Sequence, residues 1–558
     1  QGRMSLHGTP KEDELLFLPL GGSDEIGMNL NLYHYGGKWL MVDLGISFAD
    51  DTMPGVDVIM PDPSFVEERR HDVVGLLLTH AHEDHLGAVQ YLWDRIRCPL
   101  YATPFTASVL RRKLADADLL SQIQLIEVPL KDNFVIGPFE IELIGITHSI
   151  PEPNAVAIRT GAGVVLHTGD WKFDPEPVIG EVTDYDKLRD LGDEGILALV
   201  GDSTNVLVPG QSGSEAGVER SMTELFAQFD GKIAVTCFAS NVGRVQSVAR
   251  AAEANDRHAV LVGRSMLRMV ECAKENGYLK DLPEFVSDND AGFLPSDKVV
   301  LICTGSQGES RAALARIADG SHQQISLGEG DTVIFSSREI PGNEPAIAKV
   351  QNRLVGLGVQ IVTERDAHVH VSGHPCQDEM VEMYQYTRPE IAVPVHGDAV
   401  HLMEHAKLAR RCQVPETVVP GNGSMIRLAP GKPEIIGWID TAMLALDGDR
   451  LRPVGGDVIR ERRKMLHNGT AAVTVVLNGK GQMVAAPQIS FAGICDALEA
   501  PEVSDEASDL VTETIEAMSN RNRGDDDRIE EAAGIAVRRM VRARYGKRPI
   551  TNVHVVRV

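Results

Sequence analysis

Residues 79–85 read Thr79-His80-Ala81-His82-Glu83-Asp84-His85, directly after the apolar run 73–78. Imidazole nitrogen and carboxylate oxygen both suit zinc. A loop at a strand end can point His80 and His82 at one ion and turn Asp84 and His85 toward a second beside it. A lone histidine in such a loop reads as a solvated polar side chain. The HxHxDH spacing at a strand end reads as a ligand set. The same placement recurs along the first 200 residues. The runs 140–146, 164–166 and 196–200 have the length and branching of buried strands, and polar residues follow each at 147–151, 167–172 and 201–205. Functional side chains gathered just beyond strand ends are what open α/β layers produce, so the expected fold class is α/β.

The later loops complete the set. His148 follows the run 140–146, Asp170 stands in His167-Thr168-Gly169-Asp170-Trp171-Lys172, and His396 follows the run 391–395. A carboxylate has two oxygens, so Asp170 can bridge two ions. Taken alone, Asp170 reads equally well as a turn residue; its order and strand-end placement set it with the others.

The rest of the chain adds three parts. A second alternating block at about 232–335 has strands at 233–236, 259–262, 299–302 and 333–335, separated by helical stretches such as 242–252 and 265–275, which is a parallel α/β pattern. Residues 447–464, rich in Gly, Arg and Asp, read as a linker. A small terminal unit follows. In it, 472–477 and 482–486 flank Asn478-Gly479 as a hairpin, helices are expected at about 503–518 and 526–545, and a last strand at 553–558.

Length and composition narrow the function classes. At roughly 100–200 residues per domain, 558 residues suggest about three domains. No apolar run approaches the ~18 residues that span a bilayer, and no signal peptide pattern stands at the N-terminus. Residues 1–3, before Met4, read as a cloning remnant, and the expected location is cytoplasmic. Seven scattered cysteines fit reduced thiols better than a disulfide framework. A net charge of -26 speaks against a broad nucleic-acid-binding surface but leaves room for a local channel, to which two divalent ions would add positive charge.

With these residues assembled, the chain resembles a known family. HxHxDH, a distant His, Gly-Asp and a late His form the ligand pattern of the metallo-β-lactamase superfamily. Asp202 in Gly201-Asp202-Ser203-Thr204-Asn205, His374 in His370-Val371-Ser372-Gly373-His374, and His396 resemble motifs A, B and C of its β-CASP nucleases. A histidine at motif C is associated there with RNA substrates. The stretches 21–27, 237–242 and 304–309 and the terminal Lys547-Arg548-Pro549 narrow the resemblance to the ribonuclease J family. It implies an αββα sandwich with an inserted β-CASP parallel α/β domain and a small C-terminal α+β domain. The expected boundaries are 4–208 with 365–446 for the metallo-β-lactamase domain, 209–364 for β-CASP, 447–464 for the linker and 465–558 for an oligomerisation domain.

The resemblance also implies an activity and its residues. RNA phosphodiesters would be hydrolysed with two zinc ions, or with manganese or magnesium in their place or in addition. Cleavage would run 5′→3′ from 5′-monophosphate ends and also internally, leaving 5′-phosphate and 3′-hydroxyl ends in RNA processing and decay. One ion would take His80, His82, His148 and Asp170; the other Asp84, His85, Asp170 and His396. Asp202 would orient ligand histidines, and its plainer reading is a turn or helix cap. His374 would donate a proton or clamp the phosphate, helped by His370. Ser372, Gly373 and His374, ahead of a helix beginning near Pro375, offer a phosphate pocket at a helix N-terminus. Ser336 and Ser337 would add hydroxyls, and Ser240 and Asn241 would line the RNA path. Phe238 would stack on a base or else be a core aromatic. The partners implied are single-stranded RNA, a homodimer or homotetramer, and other RNA-decay proteins, with no membrane.

Gly243 and Cys376 depart from the family pattern, where a larger polar residue and a smaller residue are usual. Thr304–309 lacks the Gly-Lys-Ser/Thr ending of a P-loop and reads as a tight strand-to-helix turn. The arginines at 460–463 and 538–544 read as solvated faces. Hydrolases of small esters share the metal loop but need neither the second α/β block nor Asp202 and His374. A DNA-repair nuclease is disfavoured by His396, and a silent partner subunit by the complete ligand set.

Overall fold

The computed structural model describes residues 9–558. Residues 1–8, which hold Met4 and the three residues before it, lie outside the described residues. The described residues divide into two compact units, 9–47 with 60–441 and 48–59 with 442–558.

In the first unit, two mixed sheets face each other. One runs in the spatial order 434–438, 424–429, 15–21, 30–35, 38–42, 73–77, 100–102, 125–127; the other runs 416–417, 391–395, 198–202, 163–167, 154–160, 139–145, 133–136. Their inner faces meet in one apolar cluster that joins Leu15, Phe17, Leu40 and Val42 of the first sheet to Ile141, Val156, Val165, Val200 and Val393 of the second. The outer face of the second sheet is covered by the helices Tyr185–Glu194, Gln377–Thr387 and Ala399–Arg411. Strands buried on both faces carry no polar alternation, which is why they read as short continuous apolar runs. Phe139–Gly145, Gly163–His167 and Ala198–Asp202 lie within two residues of the expected positions.

A five-stranded sheet in the order 258–262, 299–303, 233–236, 332–335, 360–362 forms a separate layer of this unit. All its pairings are parallel, as the alternating block predicted. Helices Val242–Ala254 and Arg264–Glu275 match the expected stretches. Residues 304–312 form the expected strand-to-helix turn: Gly305 takes φ 112°, and the Thr304 carbonyl and hydroxyl accept from the amides of Leu314 and Ala313.

The second unit carries the strands Gln488–Ala492, Thr470–Leu477 and Ile550–Arg557 in that spatial order. Helices Ala500–Glu516 and Asp526–Tyr545 cover one face, and Val473, Val475, Val503, Val511, Ile529 and Val537 form the core.

Two expectations need correction here. Residues 447–464 are no linker: Arg450–Pro453 pairs with Met443–Asp447, and a helix spans Asp457–Asn468. That helix buries Ile459 alone, so it has no apolar periodicity to announce it. Its Arg462 forks onto Asp447 at 2.6 and 2.9 Å, so the arginine-rich stretch is tied down within the unit. Second, the turn at Asn478 exists, but the returning strand is Gln488–Ala492, not 482–486. Asn478 Oδ1 accepts from the amides of Lys480 and Gln482, and Leu477 bridges Met483. The chain then stands outside the ladder through Pro487, which has no N–H to donate, and rejoins it at Gln488.

Candidate metal centre

Seven side chains converge at one end of the facing sheets, each from a segment that follows a strand, Asp84 and His85 from the one-turn helix Glu83–Leu86. His80–His85 leave strand Val73–Leu77, His148 follows Phe139–Gly145, Asp170 follows Gly163–His167, and His396 follows Ile391–Val395. The first loop is laced down by backbone bonds: Asn29 N–H donates to Asp84 O at 3.0 Å, Leu44 N–H to His85 O at 2.7 Å and Ile46 N–H to Glu83 O at 3.0 Å. His396 sits at φ 52°, a left-handed conformation that a non-glycine residue keeps only where its surroundings impose it. Its N–H donates to Gly22 O at 2.7 Å.

The ligand atoms fall into two overlapping groups. His80, His82, His148 and Asp170 offer donors all within 4.8 Å of one another, and so do Asp84, His85, Asp170 and His396. Asp170 belongs to both. This donor set fits divalent ions on three counts. Thr79 Oγ1 donates to Asp43 Oδ2 at 2.8 Å, so the 2.9 Å contact to His80 Nδ1 must be donated by the ring, which leaves Nε2 a bare lone pair. That Nε2 is buried with no hydrogen-bond partner. His148 Nδ1 donates to the Gly373 carbonyl, and its lone-pair Nε2 lies 3.1 Å from His82 Nδ1, close to the roughly 3.4 Å between two nitrogens on one tetrahedral ion with bonds of about 2.0–2.1 Å.

Electrostatics separate the two groups. Burial pushes the imidazoles of the first group down: His80 well below the usual histidine range, His82 to about 4 and His148 to about 3. In the second group burial also opposes charge, but carboxylates outweigh it. Asp170, Asp84 and Asp43 hold His85 well above the usual range, and Asp170 with Asp202 and Asp84 does the same to His396. Asp84 is held low against its own desolvation by His85 and His396.

Asp202 and His374 stand at the edge of this cluster. His374 Nδ1 is 2.6 Å from Asp202 Oδ2, while Asp202 Oδ1 accepts from Thr204 N at 2.9 Å and Thr204 Oγ1 at 2.7 Å and lies 3.4 Å from His396 Nδ1. Asp202, His374, His396 and Asp170 also lie close enough to form a third ligand group. Both Asp202 oxygens are thus engaged by neighbouring groups. Against the cost of burial, Asp202 raises the pKa of His374.

The other singled-out residues divide. Phe238 is 38% exposed, so it is no core aromatic. Ser372 Oγ accepts from Asn205 Nδ2 and His374 N at 2.7 and 3.2 Å, keeping its own proton to donate. Gly373 packs against His148, where an added Cβ would lie 2.9 Å from Nδ1. His370, half-buried, faces Arg244, and Ser240 is half-buried. Asn241 caps a helix through Oδ1, which accepts from Arg244 N at 3.0 Å, and also lines a cavity beside His148. Two expectations fail in detail. Ser336 and Ser337 are buried, and the Ser336 hydroxyl donates to Val369 O at 2.6 Å, so it has no proton for a phosphate. The helix after His374 starts at Gln377, and its first amides already bond Val208 O and Gly210 O. Any phosphate pocket there is built from loop and side-chain donors.

Sequence reasoning missed Asp43, Thr79, Thr204 and Arg244. Asp43 bonds His85 Nδ1 at 2.7 Å and Thr79 N at 2.8 Å. It follows the apolar run 38–42, so the strand-end rule that found the ligands would have found it too. Beside His148 a cavity of about 370 Å³ is lined by Ser149, Glu152, Val178, Asn241 and Gly243. The small residue at 243 keeps it open, since an added Cβ would meet Val178 at 3.2 Å.

Facing sheets with a carboxylate-bridged pair of ligand groups at their loop edge define a metal-dependent hydrolase of the metallo-β-lactamase fold, here extended by a parallel α/β layer. Similarity to known proteins narrows the class. Residues 29–211 match the metallo-β-lactamase superfamily, 230–354 the ribonuclease J β-CASP domain, 358–417 the Zn-dependent metallo-hydrolase RNA specificity domain and 457–558 the ribonuclease J C-terminal domain. The chain is 43% identical to ribonuclease J of Sinorhizobium meliloti over 99% of both chains. It is 38% identical to that of Mycolicibacterium smegmatis over 97% of this chain and 96% of the other. To the Thermus thermophilus protein it is 35% identical over 83% of each. A crystal structure of a protein of unknown function from Enterococcus faecalis V583 shares the fold with a TM-score of 0.51 at 16% identity, covering 74% of this chain and 99% of that one. The chain belongs to the ribonuclease J family of metal-dependent ribonucleases.

Proposed function

We propose that this ribonuclease hydrolyses RNA phosphodiesters with two zinc ions, acting 5′→3′ on 5′-monophosphate ends and also internally, and leaving 5′-phosphate and 3′-hydroxyl ends. The observation that carries this is the pair of ligand groups joined at Asp170, with the Asp202–His374 pair at their edge. One ion would be held by His80, His82, His148 and Asp170, the other by Asp84, His85, Asp170 and His396. Two bound divalent ions supply Lewis acidity and bring the pKa of water toward neutrality.

The chain's own residues do the rest. Asp43, Thr79 and the Gly373 carbonyl accept from Nδ1 of His85, His80 and His148, so that Nε2 of each ring faces the cluster. Asp202 accepts from His374 Nδ1–H and raises the pKa of the ring, and the doubly protonated ring offers its Nε2–H to the leaving oxygen or to a phosphoryl oxygen. The loop 370–374 supplies the pocket for the 5′-terminal phosphate through His370, Ser372 and Gly373. Phe238 offers an exposed ring on which a base can stack, worth about 1–3 kcal/mol per base.

We read 209–364 as inserted between 4–208 and 365–446, followed without a linker by a terminal domain that self-associates. We place the enzyme in the cytoplasm, acting in RNA processing and decay; no helix among the described residues is long and apolar enough to cross a membrane. Light scattering over a range of concentrations reports the association state; the mass of a single chain throughout would remove the self-association role.

The test uses single-stranded RNA with a 5′-monophosphate and a label at that end, cut by the wild-type protein, by His82→Ala and by chelator-treated protein. Rapid release of labelled mononucleotide, lost in both controls, is the expected result. No cleavage by protein carrying two zincs per chain would overturn the reading.

A further inference from the structure

Arg244 is wholly buried on helix Val242–Ala254, and nothing in the chemistry above uses it. Its guanidinium forks onto Glu215, Nε to Oε2 at 3.1 Å and Nη2 to Oε1 at 2.9 Å. The third nitrogen, Nη1, points the other way. It reaches Ser336 O at 3.0 Å, Ser336 Oγ at 2.8 Å, Val369 O at 3.4 Å and His370 Nδ1 at 3.3 Å. A guanidinium has donors and no acceptor. In the contact with His370 the ring therefore contributes its Nδ1 lone pair, and the ring proton must sit on Nε2. Burial and the neighbouring arginine both lower the pKa of His370, which keeps the ring neutral and in that single tautomer.

The arginine is itself anchored to the metal-bearing layer. Glu215 N–H donates to Asp174 Oδ2 at 2.9 Å, and Asp174 lies four residues beyond the shared Asp170. The far end of the same loop returns to the cluster, where Gly373 O accepts from His148 Nδ1. The segment 369–374 is thus held at one end by Arg244 and at the other by a candidate ligand.

We propose that Arg244 is a positioning residue that presents His370 Nε2–H to the 5′-terminal phosphate of the RNA and thereby sets the preference for monophosphorylated ends. The proposal rests on the phosphate-pocket reading above. The bidentate hold on Glu215 fixes the guanidinium plane, and lysine, a point charge without the fork, cannot reach Glu215 and His370 together.

The test is a double-mutant cycle with R244K and H370A. It measures kcat/KM on 5′-monophosphate and 5′-hydroxyl RNA of one sequence, with zinc content and melting temperature as controls. R244K is expected to reduce the monophosphate preference about tenfold or more, the worth of a hydrogen bond to a charged group. The loss should fall mainly on KM for monophosphate ends, be smaller for hydroxyl ends, and add nothing further to H370A. Equal losses on both substrates, or full additivity with H370A, would overturn the positioning role. If R244K does not fold, S336A, which removes the shortest contact of Nη1, should lower the same preference by a smaller factor; an unchanged preference in S336A overturns the proposal. Wild-type protein that cuts both ends equally would reject the pocket reading itself, and this proposal with it.

Discussion

The two ligand groups share Asp170 but differ in charge. The first has three imidazoles and one carboxylate, and burial keeps its imidazoles neutral. The second has two imidazoles among three carboxylates, counting Asp43 behind His85, and its imidazoles favour their protons. Lone pairs stand free in the first group, whereas protons compete with a metal in the second. The second group also leans on more of its surroundings: Asp43, Asp202, Thr204 and the backbone around Gly45 all bear on Asp84, His85 or His396. The first group should bind the firmer ion, and the second the ion more readily lost.

The sharpest way to break the asymmetry is to remove what the groups share. Asp170→Ala should strip both ions, and turnover should fall at least roughly 10³-fold, the upper range for loss of one electrostatic stabiliser. Metal analysis beside the 5′-label assay checks this. Retention of one full ion would show that Asp170 serves a single group. Gly45→Ala attacks the second group alone. A Cβ there would lie 1.7 Å from Asp84 O and 1.9 Å from Asp84 C, backbone atoms that cannot yield without moving the Asp84-His85 turn. One zinc per chain should remain, with turnover down on the order of 10²-fold, as a misplacement of about 1 Å costs. Two zincs and wild-type turnover in this variant would mean that the turn tolerates displacement.

How much of this was legible in the sequence follows from locality. The candidate ligands were legible because each lies just beyond a buried strand, and buried strands appear as short apolar runs bounded by polar residues. Asp202 and His374, read by resemblance, lie at the edge of the cluster. Arg244 was not legible: its partners Glu215, Ser336, Val369 and His370 come from four distant segments, and a buried arginine looks like any helix-surface arginine until the layers close around it. Ser336 failed for a related reason. A polar residue at a strand end can cap a helix or tie down a loop as readily as bind a ligand, and only the third dimension shows which. In the terminal unit the helix Asp457–Asn468 was hidden because it buries one side chain.

Asp43→Ala tests the support behind the second group with a smaller effect. It removes the acceptor that orients His85 and leaves every candidate ligand in place. Loss of such a partner costs about 10–100-fold in metal affinity. Titration against a competing chelator should show that loss for one ion of two. Equal weakening of both would mean that the Asp43–Thr79–His80 contacts couple the groups.

The mildest perturbation is pH. His85 and His396 have pKa values raised above the ordinary histidine value of about 6.5, so acid favours the protonated form that a metal must displace. Metal affinity at the second group should therefore fall as pH falls, and uptake should release protons. His82 and His148, at about 4 and about 3, carry no proton between pH 8 and 6 by the same reckoning, so the first group should hold its ion across that window. Equilibrium dialysis at fixed free zinc, stepped from about pH 8 to about 6 across the ordinary histidine pKa, should pass from two ions per chain toward one. Activity should follow the second ion down. Simultaneous loss of both would show that the groups bind as one cooperative site, and that the charge difference between them is levelled when the first ion binds.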